Sequence, residues 1–243
     1  MRTMRFIIST LLWICAGSFF LILGAVYLSL SLFFPPRRLQ PLVRRACRIL
    51  LLCAGQRLRI VGAFPSMNGG PYFYMFNHSS MLDTFIIISQ LPEYTGAVGK
   101  KEQFTQPIWG AILKRWGAIP IDRENLDRAI TSLNQAARDM DGGLSLLVAP
   151  EGTRSVDGRL GPFKKGPFHL ANDLGFPIIP LGIRGAHRAK SKGSMHINPG
   201  IIEFHIGVPI DSEGSTSSSV ESLRDKTRQA IGTLCGCDSE SAR

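Results

Sequence analysis

The pattern of apolar and polar positions divides this 243-residue chain into two unlike parts. From Phe6 to Pro36 runs a stretch of 31 residues without a charge, between Arg2/Arg5 and Arg37/Arg38. A bilayer span needs about 20 apolar residues, and a secretory signal has an apolar core of only about 7–15. The run is therefore long enough to enter a membrane and too long for a cleaved signal. Both flanks are basic, which leaves two arrangements open: a single tilted span, or a hairpin that enters and leaves on one face, bending near Gly17 or Gly24. Leu42–Cys53 then places apolar residues at 42, 43, 46, 49, 50 and 53, with Arg44, Arg45 and Arg48 between them. That is the pattern of an amphipathic helix at the membrane interface with arginines for lipid phosphates, or of a helix facing a core.

Beyond residue 56 the period changes. Short apolar runs at Leu58–Phe64, Tyr72–Phe76, Gly96–Gly99, Ala118–Ile121, Leu144–Val148, Ile178–Ile183 and Ile201–Ile206 predict strands. A 3.6-residue period over Asn125–Met140 and again over Val220–Leu234 predicts helices. Strands alternating with helices predict an α/β fold, a mostly parallel central sheet flanked by helices and preceded by an N-terminal membrane-embedded helical segment. The expected organisation is residues 1–56 as membrane anchor and interfacial helix, and 57–243 as one α/β domain.

Charge sharpens this division. The net charge is +10, yet residues 1–82 hold nine arginines, no lysine and no acid. Asp83 is the first carboxylate, and the remaining 19 basic residues are nearly matched by all 18 acidic ones. A nucleic-acid binder would spread basic side chains over its folded face. Here the excess flanks an apolar segment, which points to anionic membrane lipid as the partner. The five cysteines have no zinc-ligand spacing and imply no disulfide framework, so a reduced, cytosol-facing protein is the simplest reading.

The candidate chemistry begins at Asn77-His78-Ser79-Ser80-Met81-Leu82-Asp83, directly after an apolar strand. Imidazole is the side chain suited to act as a base near neutral pH, and a carboxylate on its far nitrogen fixes the tautomer. Five residues apart on one straight helix, His78 and Asp83 would point about 140° away from each other. The pair meets only if His78 lies in a turn and Asp83 on the first turn of a helix. Ser80 and Asp83 have the spacing of an N-cap and its N3 partner, which would start that helix. Downstream stand Ala149-Pro150-Glu151-Gly152-Thr153-Arg154-Ser155, preceded by Gly117-Ala118-Ile119-Pro120-Ile121-Asp122-Arg123 and followed by Ile178-Ile179-Pro180-Leu181-Gly182-Ile183. In open parallel sheets, sites collect at the carboxyl ends of strands, and each block falls at such an end. A Gly-x-Ser-x-Gly elbow is missing, Pro167 stands where a phosphate-loop lysine would be needed, and no His-Glu-x-x-His occurs. Serine hydrolase, nucleoside triphosphatase and zinc chemistry thus lack their central residues.

These four blocks, in this order, resemble those of the glycerolipid acyltransferases, specifically the 1-acylglycerol-3-phosphate (lysophosphatidate) acyltransferase family, over roughly Gly62 to Val208. The resemblance implies transfer of an acyl group from acyl-CoA or acyl carrier protein to the sn-2 hydroxyl of lysophosphatidic acid, without metal or cofactor, at the cytoplasmic face of a bacterial inner membrane. It implies His78 as general base oriented by Asp83, and Arg123 as a ligand of the acceptor's phosphate. Arg154 and Thr153 would add phosphate contacts, Gly152 would let the backbone approach the ligand, and Lys101 would be a secondary contact. Glu151 is expected to orient Arg154 or bind an acceptor hydroxyl. Ile179–Ile183 is expected to shape an acyl pocket or simply to be a buried strand. Ala149 stands where an aromatic residue is common in the family. Two rivals remain: another lipid acceptor (a different lysophospholipid or a lyso-ornithine lipid), and a non-catalytic module that binds anionic membranes.

Overall fold

The computed structural model describes residues 2–65, 71–121, 144–212 and 217–237. The apolar run forms one unbroken helix, α1 (Arg2–Leu30), so the bend near Gly17 or Gly24 does not occur. A short turn leads to α2 (Pro36–Cys53), where Pro36 at the helix start costs nothing because its missing N–H would be unpaired there anyway. Then follow β1 (Gln56–Val61), β2 (Phe73–Phe76), α3 (Asp83–Gln90), β3 (Gly96–Lys100), a 3-10 turn (Lys101–Thr105), α4 (Pro107–Trp116) and β4 (Ile119–Ile121). The chain continues with β5 (Leu146–Val148), α5 (Gly166–Leu174), β6 (Ile178–Arg184), α6 (Ala186–Ala189), β7 (Gly200–Ile206) and α7 (Ser217–Cys235). All seven expected strands are present. The helix expected over Asn125–Met140 lies outside the described residues.

The strands form a single sheet in the order β1-β7-β6-β2-β5-β3-β4. β4, β3, β5, β2 and β6 run parallel, so their carboxyl ends share one rim. β7 is antiparallel to β6 and carries β1 parallel to itself at the edge. The alternation of side chains splits the core into two layers, as a pleated strand requires. Tyr74, Phe76, Leu147, Ile179, Leu181 and Ile183 face one side, with Leu51 of α2 and Ile86 and Ile87 of α3. Phe73, Met75, Leu146, Val148 and Ile178 face the other, against Phe168 of α5 and Val220, Leu223 and Ile231 of α7. Each such side chain, fully buried, contributes about 1.5–3 kcal/mol.

α2 takes the core-facing alternative along one of its sides. Its buried residues are Leu39, Gln40, Cys47, Leu50 and Leu51, because it is held between α1 and α3. Arg48 Nε donates to the Ser89 carbonyl (3.0 Å) and Arg44 to the Gln90 carbonyl (3.4 Å), at the C-terminal end of α3, where the helix dipole favours a cation. These two arginines are thus spent on the fold rather than on lipid phosphates. The outer side of α2 still exposes Leu42, Ile49 and Leu52. α1 touches the rest of the molecule along its length. Arg5 donates to Asn198, Ser9 Oγ accepts from Ile197 N–H (2.9 Å), Trp13 Nε1 donates to the Met195 carbonyl (2.6 Å), and Tyr27 meets Trp116. Its opposite side exposes Met4, Phe6, Ile7, Leu11, Ile14, Leu21 and Ile22. Cys235 and Cys237, expected to be reduced, are joined to each other across a single residue.

Candidate active site

Three segments converge at the carboxyl end of β2. After Phe76 the chain turns, and His78 Nδ1–H donates to Asp83 Oδ2 at 2.8 Å. Ser79 N–H and Ser80 N–H donate to the same oxygen, each at 2.7 Å. Asp83 is fully buried: all three donors meet Oδ2, where they replace lost water, while Oδ1 has no partner among the described residues. The Asp83 contact puts the proton on Nδ1, and Nε2 makes no hydrogen bond among the described residues; this is the tautomer a base needs. The Phe76 ring stands edge-on to the imidazole, 5.6 Å between centroids. The expected cap forms only in part: Asp83 accepts from Ser80 N–H, but α3 begins at Asp83 with Leu82 as its N-cap and no side-chain cap bond, and Ser80 Oγ accepts from Leu82 N–H (3.2 Å) instead.

The loop after β5 wraps the same peptide. Glu151 Oε1 accepts the backbone N–H of His78 (2.7 Å), and Oε2 accepts that of Gly161 (2.9 Å). Ser155 N–H donates to the His78 carbonyl (2.8 Å). Glu151 therefore does something other than expected: it holds the main chain at His78 instead of Arg154, because both of its oxygens are taken by backbone donors. Burial pushes its carboxyl above the usual carboxylate range, and the N–H bonds from His78 and Gly161 pull it part of the way back. Between the two attachment points, Thr153 is exposed and Arg154 half-buried. Gly152 has φ +71°, a conformation that only glycine adopts cheaply, so the turn presenting Thr153 and Arg154 depends on it.

Asn77 ties in the fourth block. Its Nδ2 donates to the Ile183 carbonyl (3.0 Å) and its Oδ1 accepts from Ile183 N–H (2.7 Å), extending the β2–β6 pairing by one side chain. Gly182 has a different reason to be glycine: a Cβ there would lie 2.4 Å from Leu234 Cβ of α7. The Ile178–Ile183 strand is thus a buried scaffold. An apolar cavity lies elsewhere, lined by Phe20 and Gly24 of α1, Ala46 and Cys47 of α2, Thr84, Phe85 and Ile88 of α3, and Trp109 and Ile112 of α4. Because α3 starts at Asp83, this cavity begins one residue from the His78 partner.

Lys101 opens the exposed turn at the end of β3, on the shared rim. Arg123, two residues past β4, lies outside the described residues. Lys165, next to the glycine-containing loop, is paired with Glu221 of α7 (2.6 Å). Lys190, which no motif marks, comes close to the site: its carbonyl accepts from Ser80 Oγ at 2.8 Å. Nothing in the sequence pattern points to it, since the contact is made by main chain.

A carboxylate-oriented histidine at the carboxyl ends of parallel strands, with an arginine on the loop that encloses it, is the arrangement of a general-base site. The family model described as Acyltransferase matches residues 57–184, just over half the chain, and the chain belongs to that family. It is 35% identical over 167 residues to a 1-acyl-sn-glycerol-3-phosphate acyltransferase of Cocos nucifera, covering 68% of this chain and 54% of that protein. To 1-acyl-sn-glycerol-3-phosphate acyltransferase alpha of Mus musculus it is 32% identical over 193 residues, covering 77% and 68%. The chain spans about half the length of the plant relatives it matches. The crystal structure of the 1-acyl-sn-glycerophosphate (LPA) acyltransferase PlsC from Thermotoga maritima shares its fold, with a TM-score of 0.81 at 22% identity over 100% of this chain and 99% of that one.

Proposed function

We propose that this protein moves a fatty acyl group from an acyl thioester to the sn-2 hydroxyl of 1-acylglycerol-3-phosphate, giving phosphatidic acid. The observation that carries the reading is the 2.8 Å contact between His78 Nδ1 and the buried Asp83, which leaves Nε2 as a base without a partner among the described residues. Nε2 takes the proton of the acceptor hydroxyl, and Asp83 stabilises the imidazolium so formed. The alkoxide attacks the thioester carbonyl. Collapse of the tetrahedral intermediate breaks the C–S bond, and the leaving thiolate receives the proton from His78. The lipid itself is the nucleophile, so the reaction as drawn calls on no metal or cofactor.

Arg154, with Thr153, Lys101 and Arg123, binds the acceptor's phosphate in this reading, Arg154 offering a planar fork for bidentate contact. Glu151 is a positioning residue that acts through the His78 peptide. The cavity that starts beside Thr84 takes the acyl chain, since its lining is almost wholly apolar. Acyl-CoA or acyl carrier protein serves as donor. α1 and α2 hold the protein on anionic lipid at the cytoplasmic face of a bacterial inner membrane, where an acceptor of this kind resides; the length and apolar character of α1 support the membrane part of this reading. The test is a panel of acceptors with one acyl-CoA and the purified protein in mixed micelles, with product lipids resolved by mass. Phosphatidic acid formed from 1-acylglycerol-3-phosphate at the highest kcat/KM supports the assignment. Higher turnover of a lysophospholipid diester or a lyso-ornithine lipid would move the acceptor, and no product from any acceptor would leave only a membrane-binding module.

A further inference from the structure

Between α1 and the His78 turn sits a cation with no anion. Lys190, at the end of α6, is only 7% exposed. Its Nζ donates to the Ser191 carbonyl (3.1 Å) and lies 6.0 Å from the centroid of the Trp13 ring of α1. Burial lowers its pKa, and the neighbouring Arg154 guanidinium lowers it further. Lys192 Nζ donates to the Arg154 carbonyl at 3.3 Å, adding a third positive charge. Among the described residues no carboxylate pairs with Arg154, Lys190 or Lys192.

A buried ammonium beside a guanidinium is expensive unless an anion offsets it. An ammonium carries three donors, and a protein oxygen and a ring face leave at least one unused. The place of this cluster is fixed by the catalytic turn itself. Ser80 donates its hydroxyl proton to the Lys190 carbonyl and its N–H to Asp83, so the Lys190 main chain is tied through Ser80 to the residue that orients His78. The apolar cavity opens on a different wall, among α1–α4.

We propose that Lys190 joins Arg154 as a further ligand of the acceptor's phosphate, so that the headgroup enters beneath Trp13 while the acyl chain is held on the Phe85 side. This rests on the acceptor reading given above. The phosphate replaces the Trp13 face as the partner of Lys190 and relieves its repulsion with Arg154. A phosphomonoester dianion meets two cations better than a diester does, which gives the acceptor preference a physical source. The donor coenzyme also carries phosphates, and the measurement separates the two sources.

The experiment compares wild type, Lys190→Gln and Lys190→Arg in mixed micelles, with KM for 1-acylglycerol-3-phosphate and for acyl-CoA measured separately and melting temperatures alongside. Lys190→Gln is expected to raise the acceptor KM about tenfold, the worth of one charge-assisted hydrogen bond, and to leave the donor KM within about twofold. Lys190→Arg is expected to recover most of the loss. An unchanged acceptor KM would overturn the proposal, as would a rise confined to the donor KM. So would a fall in melting temperature and kcat that arginine does not rescue. A wild type silent with this acceptor would overturn the functional reading and the Lys190 site with it, whereas an active wild type with an indistinguishable Lys190→Gln would overturn the Lys190 site alone.

Discussion

At His78 the peptide is fixed from both sides: its N–H by Glu151 and its carbonyl by Ser155 N–H, while its ring is fixed by Asp83. The ring contact was legible in the sequence, because a five-residue spacing closes only across a helix start, and Ser80 and Asp83 announce one. The main-chain contacts were not, because a backbone N–H leaves no signature in residue type; Glu151 looked like a partner for Arg154 or an acceptor hydroxyl, and no motif marked Lys190. The revised role of Glu151 has a consequence. In Glu151→Gln the amide oxygen accepts from one of the two N–H donors and the amide NH2 confronts the other, so kcat should fall about 10- to 100-fold with the acceptor KM nearly unchanged. A rise in acceptor KM at constant kcat would instead put Glu151 on the acceptor. The pH sign follows from burial. With its carboxyl raised in the folded state, Glu151 holds its proton more tightly when folded, so through this group folding is favoured by acid and loses stability as pH rises from the ordinary carboxylate range to the raised value. Activity runs the other way, since a protonated Glu151 cannot accept both N–H groups. The acid limb of the kcat–pH profile should therefore include a component that begins above the ordinary carboxylate range and vanishes in Glu151→Gln.

Strand order decides which elements can share a site. β2, β5, β3, β4 and β6 point the same way, and that direction brings His78, the Glu151 loop and Lys101 to one rim. The alternation of apolar runs with helices made the parallel sheet legible, including all seven strands. The reversal at β7 was not, because an antiparallel buried strand carries the same apolar pattern as a parallel one. For the block Ile178–Ile183, of the two alternatives the sequence left open, the buried strand is the one found: its residues are constrained by packing rather than chemistry. Gly182 is the test case. Gly182→Ala would press a methyl against Leu234 and push α7 off β6, an overpacking that costs about 1–3 kcal/mol. The expected result is a melting temperature lower by several degrees, with KM for both substrates unchanged at a temperature where the variant is folded. A selective loss of affinity for one substrate at full stability would return this strand to the binding site.

On the scale of the molecule, α1 is an element long and apolar enough to enter a membrane. A 29-residue helix is about 43 Å long, and it contacts the domain from Arg5 at one end to Tyr27 near the other. A helix crossing a bilayer could not keep both ends against a domain on one side, so the membrane role proposed above predicts that α1 lies in one leaflet with its Met4–Ile22 face in the acyl region. The hydropathy of residues 6–36 announced a membrane segment, but not this orientation, which depends on the Asn198, Ile197 and Met195 contacts far along the chain. In a background without the native cysteines, Thr3→Cys and Arg38→Cys should both react with an impermeant thiol reagent from the same side of sealed vesicles; protection of one but not the other would show a span. The central claim is that His78, oriented by Asp83, is the base of an acyl transfer. Its most direct test is thiol release from acyl-CoA by wild type and His78→Ala, with and without 1-acylglycerol-3-phosphate, both proteins checked for equal melting temperature. The expected result is release that requires the acceptor and drops about 10²–10⁴-fold in His78→Ala. Release that continues undiminished in the variant, or that needs no acceptor, would contradict it.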